Sequence, residues 1–173
     1  MNFPLSRRAL GRAAAAILAT ALLAAPALAH EIKAGALVLT DLWTRATPPN
    51  APTAAGYLTI ANTGTEEDRL IAVTTPAATK AEIHLMATED GVMTMTPSPD
   101  GVVIPAGETV VLAPGGYHLM FIGVTQPIVE GERLPVTLTF AKAGTIETFL
   151  HVLAIGAAGP DGTAPASHEG HGS

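Results

Sequence analysis

Residues 102–124 read VVIPAGETVVLAPGGYHLMFIGV, and this stretch decides the fold. Three short runs rich in β-branched and aromatic residues, Val102 to Ile104, Thr109 to Ala113 and Tyr117 to Val124, are parted by Pro105-Ala106-Gly107 and Pro114-Gly115-Gly116. Pro fixes φ and lacks an N–H, and Gly tolerates turn geometry, so each such cluster ends a strand and none lies inside a helix.

The same grammar runs outward in both directions. Upstream, Gly35 to Trp43 is closed by Pro48-Pro49-Asn50-Ala51-Pro52, and Gly56 to Ala61 runs into Asn62-Thr63-Gly64. Leu70 to Thr75, Lys80 to Thr88 and Val92 to Thr96 follow, the last two joined across Glu89-Asp90-Gly91. Downstream, Pro135 to Lys142 and Thr145 to Ile155 are joined at Ala143-Gly144 as a hairpin. Strands broken about every 8–12 residues, with no amphipathic helix, predict an all-β fold: an antiparallel β-sandwich or a Greek-key barrel, in a single domain.

The two ends read differently. Residues 1–29 have Arg7, Arg8 and Arg12, then the apolar run Ala13 to Leu23, then Ala27-Leu28-Ala29. That is the pattern of a signal peptide cleaved after Ala29, and the run is too short to span a bilayer of about 30 Å. Ser6-Arg7-Arg8 also resembles a twin-arginine export signal. The expectation is a periplasmic protein with no membrane span in its mature chain. From Gly156 to Ser173 apolar periodicity stops, which predicts a flexible tail carrying His168 and His171. The predicted organisation is therefore a signal peptide over 1–29, a domain over 30–155 and a tail over 156–173.

Composition then removes whole classes of function. Residues 30–173 keep six Lys and Arg against fifteen Asp and Glu, which argues against binding a phosphate backbone; no nucleic-acid partner is expected. There is no Cys, so disulfides, thiolate chemistry and the blue-copper cysteine are all excluded. No nucleophile–base spacing, carboxylate pair or phosphate-cradling glycine loop is visible, so the chain is not expected to be an enzyme.

What remains is a soft donor set. Beyond Met1, all the methionines lie between residues 86 and 120, beside His84 and His118. Alternate residues of a strand share a face, so His84 pairs with Met86, His118 with Met120, and Met93 with Met95. The hairpin leaves two registers open. A two-residue turn at Asp90-Gly91 sets Met86 opposite Met95, whereas a turn at Glu89-Asp90 sets His84 opposite Met95. A three-residue loop with a glycine bulge is a further alternative. Thioethers are neutral, polarisable donors that favour Cu(I) over hard cations, and imidazole accepts either copper state. The constellation therefore predicts a Cu(I) site. Methionines packed as core filler are the competing reading, and burial separates the two.

These residues also resemble the periplasmic copper chaperone family PCu(A)C, whose pattern is a His, a Met about ten residues on, and a later His-x-Met. Here His84 and Met95 are separated by ten residues, and twenty-two more lead to His118-x-Met120. The stretches Trp43-Thr44-Arg45-Ala46-Thr47-Pro48, Ala55-Gly56-Tyr57-Leu58 and Pro114-Gly115-Gly116-Tyr117-His118-Leu119-Met120 are similar to the family as well. The resemblance implies a cupredoxin-like β-sandwich whose ligands are His84, Met95, His118 and Met120. It also implies delivery of Cu(I) toward the copper centres of cytochrome c oxidase. The protein acceptor would then be an oxidase subunit or a thiol-bearing copper chaperone. Met86 and Met93 match no ligand position and are hand-off candidates. His168 and His171 form a candidate secondary site for Cu(II) on the tail. His30 would become a terminal chelating residue after cleavage, and His151 reads as structural. A copper-dependent redox enzyme and a metal-free assembly or adhesion module are the alternative functions.

Overall fold

A computed structural model describes residues 31–160 apart from Asp90. It contains eleven strands. The first five are β1 (Ile32–Ala34), β2 (Leu37–Arg45), β3 (Thr53–Asn62), β4 (Asp68–Thr74) and β5 (Ala78–Glu89). There follow β6 (Val92–Pro97), β7 (Val102–Ile104), β8 (Thr109–Leu112), β9 (Tyr117–Val124), β10 (Arg133–Phe140) and β11 (Gly144–Leu153). All ten predicted strands are present. The addition is β1, three residues long and too short to show a period.

The strands hydrogen-bond in the order β6-β5-β9-β3-β2-β11-β10-β4-β7, with β1 on β2 and β8 on β3. The path rolls over so that β4 meets β5 and β7 meets β3, closing a two-layered β-sandwich. Leu39, Leu58, Ile60, Ile83, Leu119 and Phe121 pack there with Leu70, Val73, Ile104, Leu138, Phe140 and Leu150. Each of these side chains is nearly or wholly removed from water, at about 25 cal/mol per Å² of apolar area. One pairing is parallel: His151, Val152 and Leu153 of β11 run beside Trp43, Thr44 and Arg45 of β2. Sequence periodicity cannot give strand direction, so this departure from a purely antiparallel arrangement had no signal to read.

A register shift inside β2 positions the site. Leu37 and Leu39 face the core, but the pairing with β3 slips between Thr40 and Trp43. Asp41 lies within that slip at φ 51°, in the left-handed region. The extra residue reverses the alternation. Beyond it Thr44 faces inward, while Trp43 joins Tyr57 on the outer face, ring centroids 4.5 Å apart.

The chain past Ile155 is not wholly a tail. The Arg45 Nε–H donates to the Ala157 carbonyl at 2.6 Å, and Gly159 is buried. The folded unit therefore extends to at least Pro160, beyond the boundary that loss of periodicity suggested. A guanidinium gripping a backbone carbonyl leaves no trace in hydrophobic patterning. Among the described residues no helix is long and apolar enough to cross a membrane. The signal-peptide reading, His30, His168 and His171 lie outside the described residues.

Candidate metal centre

The site is built on the outer face of β5 and β9. Ile83, Leu119 and Phe121 are buried in the core, so strand alternation turns His84, Met86, His118 and Met120 the other way. The two strands pair with His84 directly opposite His118 and Glu82 opposite Met120. The imidazole centroids stand 5.9 Å apart with planes inclined at 57°. Both rings are shielded from solvent, at 8% and 4% exposure.

Each ring has one nitrogen engaged and one left over. The Nδ1 of His118 lies 3.0 Å from the Gly116 carbonyl, which can only accept, so Nδ1 carries a proton and the lone pair of the neutral ring falls on Nε2. The Nε2 of His84 lies 3.1 Å from Oε2 of Glu82. Glu82 is also held by Lys80, whose Nζ is 2.6 Å from Oε1. The hydrogen bond from Lys80, and then that from His84, hold this carboxyl below its ordinary range. An ionised carboxylate only accepts, so His84 donates through Nε2–H. Its Nδ1 is then buried with no hydrogen-bond partner. A buried nitrogen lone pair without a donor is costly in a finished core and is what a metal ligand requires.

Of the registers that the hairpin sequence leaves open, the structure takes the one that sets Met86 opposite Met95. Glu89 pairs with Val92 and Met86 with Met95, leaving His84 opposite Pro97. Gly91 has φ 77°, which the tight turn demands. Met95 is therefore diagonal to His84, within roughly 7–8 Å for side-chain bases, and directly across from Met86. Met93 sits one step nearer the turn, opposite Thr88.

None of these four methionines belongs to the core. Met93 is 68% and Met95 45% exposed, while Met86 and Met120 are half-buried. The core-filler reading fails on that observation. Met86, Met95, His118 and Met120 line one cleft of about 430 Å³, with Arg45 and Tyr57 on another wall. Arg45 lies over both aromatic rings, 5.5 Å from Trp43 and 5.6 Å from Tyr57. Burial raises the Tyr57 phenol above its ordinary value, against the pull of Arg45. Among the described residues no group of three His, Asp or Glu side chains is arranged to hold a metal ion, and the thioethers are the further donors on this face. His151 packs edge-on against Phe149, centroids 5.1 Å apart.

Sequence reasoning missed Glu82 and Lys80. Their signal was simple: both share the parity of His84 on one strand face, at i−2 and i−4.

Comparison with known proteins agrees with this frame. Solved structures similar to the chain include the copper-bound PCuAC domain from PmoF2, with TM-score 0.62 and 26% identity over 72% of this chain and 98% of that one. The apo PCuAC domain from PmoF1 gives TM-score 0.62 and 29% identity, over 72% of this chain and 99% of that one. The solution structure of CuI-DR1885 from Deinococcus radiodurans gives 0.51 and 25%, over 72% and 80%. A protein of Leifsonia xyli subsp. xyli named "Putative lipoprotein Lxx21020" is 36% identical over 91 residues, 53% of this chain. The chain spans just over half of that relative, 55% of its length. Residues 37–152, from the first core strand through the last, match the family model described as "Putative lipoprotein LpqE-like", and the chain therefore belongs to the LpqE-like family.

Proposed function

We propose that this protein is a periplasmic carrier of Cu(I), not an enzyme, and that His84, Met95, His118 and Met120 hold the ion. The observation that carries the reading is that His84 and His118, shielded and directly opposite each other, share one sheet face with non-core thioethers, three of which line a cleft with His118 while His84 lies beside it. The copper named for the PmoF2 domain and for CuI-DR1885 supports it. Neutral donors leave a single positive charge in the site, and their softness selects the monovalent ion. Copper is cargo here. An acceptor's ligands replace the donors one at a time, beginning with Met95, which stands on an exposed edge strand. The acceptor is a protein on the route to the copper centres of cytochrome c oxidase, either an oxidase subunit or a thiol-bearing copper chaperone. Exchange of this kind needs an open wall, and the cleft supplies one.

A Cu(I) competition titration tests the site. Residues 30–173 are compared with a variant bearing Met95→Leu and Met120→Leu, which keeps apolar volume and removes two sulfur donors. Affinity is expected to fall by at least about 100-fold, or roughly 1.4 kcal/mol for each factor of ten. Equal binding by the two proteins rules the assignment out.

A further inference from the structure

The hairpin holds more sulfur than one Cu(I) site uses. Met86 faces Met95 across the β5–β6 ladder, and Met93 lies diagonal to Met86 on the same face. Met86 reaches the cleft beside Met95, His118 and Met120. Met93, at 68% exposure, stands outside it on the terminal strand of the sheet. Donor character thus changes along the face: thioethers alone at the solvent end, imidazoles at the shielded end. Apolar burial explains neither Met93 nor Met95, because neither is buried.

We propose that Met86, Met93 and Met95 form a second, all-thioether site for a soft monovalent cation, Cu(I) or Ag(I), through which the ion enters the cleft. Met95 belongs to both sites. When the inner site engages it, Met86 and Met93 remain as a two-sulfur pair, a coordination that d¹⁰ ions accept. Cross-strand neighbours have side-chain bases roughly 5–8 Å apart, and two flexible methionine side chains can close that gap around an ion. Only ligands exchange; no electron or proton moves. The direction of transfer rests on the cleft being the Cu(I) site, whereas the outer site stands on the hairpin register alone.

Ag(I) is the probe, because it is soft and redox-inert. Residues 30–173 carrying methionine labelled with ¹³C at the methyl group are titrated and followed by NMR. The first equivalent is expected to move Met95 and Met120. The second is expected to move Met86 and Met93, with affinity at least about tenfold weaker. In a variant with Met86→Leu and Met93→Leu the second event disappears, while Met93→Leu alone, outside the cleft, leaves the affinity of the first within about threefold. That variant is also expected to take up Ag(I) at least tenfold more slowly from a thioether donor. The proposal is overturned if the Met93 methyl stays unmoved at two equivalents, or if the double variant still binds two ions. A Met93 signal that answers to protein concentration and not to Ag(I) also overturns it, and makes β6 a docking edge. If Met86 and Met93 respond but Met120 does not, the outer site stands and the cleft reading falls.

Discussion

Glu82 sits between two cationic or hydrogen-bearing partners, 2.6 Å from Lys80 and 3.1 Å from His84. A ligand imidazole is oriented by what its other nitrogen does, and such outer partners typically govern 10–100-fold in metal affinity. Glu82→Gln is therefore expected to weaken Cu(I) binding by about tenfold in a competition titration at neutral pH. Folding stability should scarcely change, because an exposed ion pair contributes little. The sign with pH follows from the lowered carboxyl. Its contribution is complete above the ordinary value of 4.5 and is lost only as pH falls through the lower folded value. The grip on His84 thus persists through mildly acidic conditions. An unchanged affinity in Glu82→Gln would mean that His84 is oriented by packing alone. Much of this face was legible in the sequence, since parity alone places Glu82, His84 and Met86 together. Which strand lies beside β5 was not legible. The facing of His84 and His118 depends on the β5–β9 pairing, a contact across 34 residues of chain that no local pattern encodes.

Elements impose their own constraints on the site. Gly56 of β3 pairs with Leu119, between His118 and Met120 of β9. A Cβ there would stand 2.6 Å from Cδ1 of Leu150 and 3.1 Å from the Phe121 ring. Gly56→Ala is expected to destabilise the fold by about 1–3 kcal/mol, the usual cost of overpacking, read as a lower urea midpoint. Because the clash pushes on Phe121, it should also loosen β9 and weaken Cu(I) binding; stability equal to wild type would show that the layers yield freely. The Gly-Tyr pair at residues 56–57 reads from sequence simply as a strand start, yet β3 begins at Thr53 and the glycine lies inside it. Close approach of two layers is a tertiary demand, and single-strand patterning is blind to it. The same holds for the Asp41 bulge, which alone brings Trp43 to the outer face. By contrast, the register of the β5–β6 hairpin was narrowed to a few alternatives, because turn chemistry at Asp90-Gly91 is local.

At the scale of the whole molecule, the question is where the folded unit stops. Trp43 and Tyr57 are each only 5% exposed although they face outward. The last described segment explains part of this. Ala158, Gly159 and Pro160 share a crevice with Trp43, and the Ala157 carbonyl is held by Arg45. Arg45 in turn lies over both rings and lines the methionine cleft with Ile155. Two shortened chains separate the contributions. A chain ending at Pro160 loses residues 161–173, and with them His168 and His171. It is expected to keep its stability and its Cu(I) affinity while losing whatever Cu(II) capacity those histidines provide. A chain ending at Ile155 loses in addition the acceptor for Arg45 and the cover over Trp43. Removing a hydrogen bond to a charged donor costs about 1.5–3 kcal/mol, so its urea midpoint should drop by a corresponding amount. Its Cu(I) affinity should fall as well, because Arg45 is then free to leave the cleft wall. If the two shortened chains unfold together, the segment over Trp43 contributes nothing and the boundary returns to Ile155. If the chain ending at Pro160 retains full Cu(II) capacity, the tail histidines are not a metal site, and any Cu(II) bound must sit in the sandwich itself.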